Sequence, residues 1–230
     1  MLGIIGAMEE EVNEILALME VEKEYQECNY HFYEGFLGKK EVVVVQGGIG
    51  KVNAAISATL LFKNFDIDHV INVGSAGGLD LKENFGDVII SEKVVHHDVD
   101  VTAFGRPYGQ VPDMPLYYEA DPALVSYAKE IFEHNGLTVY SGLIVSGDQF
   151  VARKDQVDTI KAHFPEALCA EMEAATVAQV CTVFNKPFII ARGLSDIFDK
   201  GSSSIQFDQY LKEAAKSSAR MCYDLAQKLV

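Results

Sequence analysis

The residues with the most chemical potential in this chain are acidic. Glu171 and Glu173 stand two apart in Cys169-Ala-Glu-Met-Glu-Ala-Ala175. From Glu173 onward the apolar residues Val177, Val180, Cys181 and Phe184 recur on one helical face. A carboxylate heading a core-facing stripe must be hydrogen-bonded, paired or working, because an unpaired buried charge is very costly. Acidic residues in a first helical turn also serve as partners of the helix dipole. That plainer role suits Glu171, and suits Glu173 less, since such partners usually face water. Glu11 closes the run Glu9-Glu10-Glu11 at another expected helix start. Ile15 and Leu18 follow it on the same face, so it borders the core, while Glu9 and Glu10 read as a solvated turn. Both readings stay open for Glu11. Asp196 ends the stretch Arg192-Gly-Leu-Ser-Asp196, expected at a strand C-terminus. Desolvation there would raise its pKa toward the range in which a carboxyl group works as a general acid.

Other candidates surround these carboxylates. Gly74-Ser-Ala-Gly-Gly78 reads as a loop in which backbone N–H groups approach a ligand and Ser75 adds a hydroxyl. Phe150, in Ser146-Gly-Asp-Gln-Phe-Val151, is either a platform for a flat ring or a core residue. Gly47-Gly-Ile-Gly-Lys51 resembles a phosphate loop, but Val52 stands where Ser or Thr should follow and the leading Gly is absent. Tight strand-to-helix packing explains its glycines better. His96-His97-Asp98 offers metal-ligating types, yet adjacent side chains of an extended segment point to opposite faces, so no metal site is expected.

The elements that must position these residues alternate between strand and helix. Strands are expected at 2–7, 30–37, 41–46, 70–73, 88–90, 138–145 and 188–191. A first helix begins near Glu9, with Val12, Ile15, Leu16 and Met19 on its apolar side. Further helices are expected from Lys51 to about 65, at 122–135 before Gly136, at 154–164 before Pro165, and from Glu173. A last helix shows Phe207, Leu211, Ala214, Met221, Leu225 and Leu229 on one face. The stretch 99–116 is long, irregular and rich in aromatics and prolines, as lids, binding loops and subunit contacts are. A strand end followed by a helix start is where open α/β sheets place ligands. No linker, repeat or low-complexity segment divides the chain, so residues 1–230 read as one α/β domain with a central mixed sheet flanked by helices.

Composition limits the partners. The 230 residues carry a formal net charge of −15, which argues against nucleic acid and anionic membranes. Apolar residues make up 49%, enough for a sizeable core, and no apolar run reaches the ~20 residues of a membrane span. The first residues lack a basic n-region and meet an acidic helix at once, so no signal peptide is expected. Cys28, Cys169, Cys181 and Cys222 are scattered, which fits reduced thiols and a cytoplasmic protein.

Seven motifs then recur in a familiar order: Gly3-Ile-Ile-Gly-Ala-Met-Glu-Glu-Glu-Val12, Gly50-Lys-Val, Gly74-Ser-Ala-Gly-Gly78, Asp100-Val-Thr-Ala-Phe-Gly105, Gly142-Leu-Ile-Val-Ser-Gly-Asp148, Glu171-Met-Glu-Ala174 and Ser195-Asp196. Together, over nearly the whole chain, they resemble the bacterial 5′-methylthioadenosine/S-adenosylhomocysteine nucleosidases. The resemblance implies a nucleoside phosphorylase-like fold, a homodimer and irreversible hydrolysis of the adenine–ribose bond, with neither cofactor nor metal. Methylthioadenosine, S-adenosylhomocysteine and 5′-deoxyadenosine would be substrates, in methionine salvage and the activated methyl cycle. It implies that Glu11 is the base that activates water, that Asp196 protonates adenine N7, and that Glu173 binds the ribose hydroxyls and favours the cationic sugar. Met8, Ser75, Ala76, Gly77 and Met172 would hold the nucleoside. Phe150 would stack on adenine and the Val151 backbone would read its edge. Ser195 and Arg192 would orient the carboxylates. Phe207 would line the 5′ end, with Phe104 and Pro112 reaching it from the partner subunit. The chemistry agrees, since an oxocarbenium-like state is stabilised by a nearby carboxylate and needs one acid and one base with separated pKa values.

A few positions depart from the family's pattern. Gly48 replaces the usual Ser, Gly193 a small Ala or Ser, and Val151 the usual Ile. The segment 198–205 differs and is one residue longer. The nearest rival is a purine nucleoside phosphorylase, which needs an arginine-built pocket for phosphate. No such arginines stand beside the Gly-rich stretches, and Asn72 occupies a place where related phosphorylases tend to carry Arg. A non-catalytic nucleoside-binding protein would not need all three carboxylates, each of which is costly to bury.

Overall fold

The structure is a computed structural model that describes residues 1–201 and 203–229. The elements run β1 (Leu2–Gly6), α1 (Glu9–Leu16), β2 (Glu20–Glu27), β3 (Tyr30–Leu37), β4 (Lys40–Gln46), α2 (Lys51–Asn64), β5 (His69–Gly78), β6 (Val88–His96), β7 (Tyr118–Glu119), α3 (Pro122–His134), β8 (Val139–Ser146), α4 (Lys154–His163), β9 (Ala167–Glu171), α5 (Ala174–Val183), β10 (Phe188–Ile197) and α6 (Ser203–Lys228). Helix ends follow local chemistry. At the start of α3, for example, the Asp121 carboxylate accepts the Ala123 and Leu124 N–H groups at 2.9 and 3.0 Å, with Pro122 just inside.

The strands form one mixed sheet in the order β10-β6-β8-β9-β5-β1-β4-β3-β2. β10 also pairs with β5, so β5, β10, β6, β8 and β9 close on one another while β1, β4, β3 and β2 extend outward. β5 is thus the seam, pairing in parallel with β1 and β10 and in antiparallel with β9. Every residue of β10 is buried, since α6 covers it and the ring closes on its other face. The buried faces of α2 and α5 join one apolar cluster, and those of α1, α3 and α6 join another.

Four expectations change. Gly74-Ser-Ala-Gly-Gly78 is not a loop but the second half of β5, paired with β10 from Gly74 opposite Arg192 to Gly78 opposite Ile197. β10 runs past the expected 188–191 to Ile197, so Arg192 and Ser195 lie inside it and Asp196 stands near its C-terminal end, with a register shift between Leu194 and Asp196. Glycines suppress strand propensity in isolation, but two neighbouring strands supply the hydrogen bonds here. α1 stops at Leu16, which leaves Leu18 40% exposed; Glu11 is nevertheless buried. β2 has no counterpart in the expected strands. Its sequence is charged on both faces and exposed almost throughout, as suits a sheet edge, so no period-2 signal marks it.

Candidate active site

A cavity of about 350 Å³ opens where β1, β5, β9 and β10 converge. The β1–α1 junction brings Met8 and Glu11, β5 brings Ser75, Ala76 and Gly77, and the segment after β8 brings Phe150 and Val151. The β9–α5 junction brings Met172 and Glu173, β10 brings Arg192, Ser195 and Asp196, and α6 brings Phe207. Thirteen of the fifteen residues singled out in the sequence therefore share one cavity. The other two, Phe104 and Pro112, lie outside it; Phe104 is 86% exposed on a 3₁₀ turn.

Glu11 is held by backbone alone. Its Oε2 accepts the Ala7 and Met8 N–H groups at 2.8 and 3.0 Å, and its Oε1 accepts that of Ser75 at 3.1 Å. The Met8 bond is one half of a capping interaction, in which a carboxylate at the third helical position reaches back to the residue before the helix. Burial raises the Glu11 pKa above its ordinary value, opposed by the Met8 N–H and the positive field of Arg192. Close approach to β5 depends on glycine. A Cβ on Gly74 would lie 2.9 Å from Glu11 Oε1, and one on Gly77 would lie 3.0 Å from Asp196 Oδ2. The Gly-rich half of β5 is a bare strand against which two carboxylates can rest.

Glu173 stands at the N-cap of α5, and its Oε1 accepts the Gly50 N–H at 2.8 Å. The glycines before α2 thus present an amide to a carboxylate rather than to a phosphate. Burial, reinforced by the negative charge of Glu171, raises the Glu173 pKa. Glu171 is satisfied by structure. It accepts the Glu173 N–H at 3.1 Å, the Ala174 N–H at 2.9 Å, the Ser146 hydroxyl, and Arg192 Nη2 at 2.6 Å. Arg192 also donates to the Asn72 side-chain Oδ1 at 2.7 Å and to the Asn72 and Ala191 carbonyls, each at 3.2 Å. Arg192 binds Glu171 directly and reaches Glu11 and Glu173 through its field. The Ser195 hydroxyl donates to Asp196 Oδ1 at 3.1 Å.

The opposite wall is aromatic. Phe150 and Phe207 meet edge to face with ring centroids 5.8 Å apart, and Phe150 is 45% exposed. Phe207 lines the cavity from α6. Ile49, Gln149, Ser204 and Asp208 also line the cavity and carried no sequence signal that separated them from ordinary loop and helix residues. His96, His97 and Asp98 do not line it; among the described residues no group of three His, Cys, Asp or Glu side chains is arranged to hold a metal ion.

An α/β sheet closed around a glycine-lined strand, with acidic groups facing an aromatic wall, defines the class. The Phosphorylase superfamily profile matches residues 1–227. A 5′-methylthioadenosine/S-adenosylhomocysteine nucleosidase of Exiguobacterium sp. is 48% identical over 228 residues, spanning 99% of this chain and 97% of that protein. The crystal structure of the Neisseria meningitidis nucleosidase of the same name, in complex with methylthio-immucillin-A, superposes with a TM-score of 0.94 at 43% identity, covering 99% and 98% of the two chains. The Colwellia psychrerythraea nucleosidase in complex with adenine gives a TM-score of 0.95 at 39% identity, covering 99% and 95%. The chain belongs to the 5′-methylthioadenosine/S-adenosylhomocysteine nucleosidase family of the phosphorylase superfamily.

Proposed function

We propose that this protein hydrolyses the N-glycosidic bond of 5′-methylthioadenosine and S-adenosylhomocysteine, and also of 5′-deoxyadenosine. It releases adenine together with the corresponding 5-substituted ribose. One observation carries hydrolysis over phosphorolysis. Arg192 is the only cationic side chain lining the cavity among the described residues, and it is committed to Glu171 and Asn72. Nothing there cradles a phosphate, and Glu11 would repel one. The experiment is release of free adenine from methylthioadenosine in phosphate-free buffer. A strict requirement for phosphate would overturn the reading.

In this reading Glu11 takes a proton from the attacking water. Its raised pKa makes it a stronger base than an ordinary carboxylate while three N–H groups fix its position. Asp196 delivers a proton to adenine N7, so that the base leaves neutral. Glu173 binds the ribose hydroxyls and its negative charge favours the oxocarbenium-like sugar. Phe150 stacks on adenine while the Val151 backbone reads the ring edge. Met8, Met172 and the strand floor at Ser75, Ala76 and Gly77 seat the sugar, and Phe207 lines the 5′ end.

A homodimer completes the site. Val52 and Ile56 are 70% and 41% exposed one turn apart on α2, beside Ile49 at the cavity rim. Such an apolar stripe favours burial against a second copy, which would bring Phe104 and Pro112 to the 5′ end. The chain acts as one nucleosidase domain in the cytoplasm, in methionine salvage and the activated methyl cycle.

A further inference from the structure

His96-His97-Asp98 is the sequence motif that the cavity leaves unused, and it has a structural destination. The segment that leaves β8 carries Gln149, Phe150 and Val151 into the cavity. Its first residues are fastened to the end of β6. The His97 N–H donates to the Ser146 carbonyl at 2.8 Å. The His97 ring lies so close to Gly147 that a Cβ there would come within 2.5 Å of Nε2. Asp98 makes the stronger tie. Its Oδ2 accepts the Asp148 N–H at 2.9 Å, and its Oδ1 binds Lys51 Nζ at 2.6 Å. Lys51 closes the circuit, its own N–H donating to Asp148 Oδ1 at 2.8 Å.

Three separate parts of the chain therefore meet in one ring of hydrogen bonds. The Lys51 corner is fixed, because it opens α2 and the preceding Gly50 is anchored on Glu173. Gly50 reaches that position at φ +92°, and a Cβ on it would lie 3.1 Å from Asp148 Oδ1. The far side of the loop has a different fastening, from the Gln156 side chain to Gln149 Oε1 and the Phe150 carbonyl at 3.1 and 3.3 Å. The Lys51 and Asp98 side chains are only 21% and 16% exposed, so water screens them less than a surface pair. Burial opposes the charge on Asp98, but Lys51 and the Asp148 amide outweigh it and hold the carboxyl below its usual range.

We infer that Asp98, through its ion pair with Lys51, is a positioning residue that fixes where the loop 147–151 presents Phe150 and Val151 to the base of the substrate. The substrate side of this inference rests on the nucleosidase reading. Asp98 touches neither the cavity nor the catalytic carboxylates, so its loss should show in substrate binding more than in turnover.

The test uses the full-length protein and the variants Asp98→Asn, Lys51→Met and Lys51→Arg. Asparagine keeps an acceptor for the Asp148 N–H but no charge for Lys51, methionine removes the cation, and arginine keeps it. Hydrogen exchange of the segment 146–152 is read without ligand, and kcat and KM are read with methylthioadenosine. Losing a charge-assisted tie predicts about tenfold faster exchange in Asp98→Asn and Lys51→Met. KM should rise about tenfold with kcat within threefold, and Lys51→Arg should stay near wild type in both readings. Unchanged exchange in the charge-removing variants overturns the inference. So does a fall in kcat that exceeds the rise in KM, or a Lys51→Arg protein as impaired as Lys51→Met. If Asp98→Asn does not fold, the two Lys51 variants decide the question. A wild-type protein that releases no adenine would sink the nucleosidase reading, while the exchange comparison would still decide the role of Asp98.

Discussion

Replacing Glu11 by Gln separates chemistry from stability, and the structure sets both magnitudes. The Glu11 side chain is buried, with backbone N–H groups from Ala7, Met8 and Ser75 on its two oxygens. Glutamine has the same shape, but one of its terminal atoms is an NH2 group. With its carbonyl toward Ala7 and Met8, the NH2 meets the Ser75 N–H donor to donor, a conflict of about 1–3 kcal/mol. Against this, the variant no longer buries a charge, and each unit by which burial raises a carboxyl pKa is worth about 1.4 kcal/mol. Because the folded pKa lies above the ordinary value of 4.5, the native protein loses stability as pH rises through that window. The variant escapes that loss at neutral pH. The two effects oppose each other, so Tm should stay within several degrees of wild type. Activity has no such compensation. Loss of a general base costs roughly 10²–10⁴-fold, or about 2.7–5.5 kcal/mol of barrier. The assay pairs adenine release from methylthioadenosine at neutral pH with thermal unfolding and with binding of a non-hydrolysable analogue. Turnover within tenfold of wild type, in a variant of unchanged Tm, would refute the assignment of Glu11 as the base.

The wild-type acid limb tests the same group differently: kcat/KM should fall as pH drops through a value above the ordinary 4.5 of a glutamate, and in Glu11→Gln only the part of the limb set by Glu173 should remain. Arg192→Met should leave Glu171 buried without its cation, at a cost of about 3–5 kcal/mol, seen as a Tm lowered by roughly 6–20 °C. In the same variant the acid limb should move to higher pH, because Arg192 lowers the pKa of both Glu11 and Glu173. Asp196→Asn should lose cleavage of methylthioadenosine by ~10²-fold or more but spare a riboside whose leaving group departs without protonation; equal losses would make Asp196 a positioning group. Phe104→Ala should raise KM for methylthioadenosine while leaving adenine binding unchanged, and sizing of the active protein as a monomer would contradict the role given to a partner's Phe104.

Much of the site is legible in the amino-acid order. Glu11, Glu173 and Asp196 stand out because each combines a charge with a position at the edge of an apolar pattern, which a folded chain must satisfy or use. Most helices are legible too, since a 3.6-residue period survives in the sequence of any helix with one buried face. β2 is not, because an exposed edge strand has no buried face to write into its sequence. The Gly-rich half of β5 is hidden for a related reason. Its side chains say turn, while its backbone partners, more than a hundred residues away in β10, make it a strand.

By itself, then, the sequence determined which groups are available: the three carboxylates, the aromatic residues and a run of small ones, in an order that marks the family. Tertiary structure decided their division of labour. Glu171 and Glu173 are two residues apart and locally alike. Only the arrival of Arg192 from β10, Ser146 from β8 and the Gly50 amide from the start of α2 makes the first a satisfied buttress and the second a group held by one amide at the cavity wall. Asp98 gains its ion-pair partner only because the fold brings Lys51 within 2.6 Å of it. The reason is physical. A buried charge takes its role from whatever pairs with it, and those partners are brought together by sheet pairing rather than by nearness along the chain.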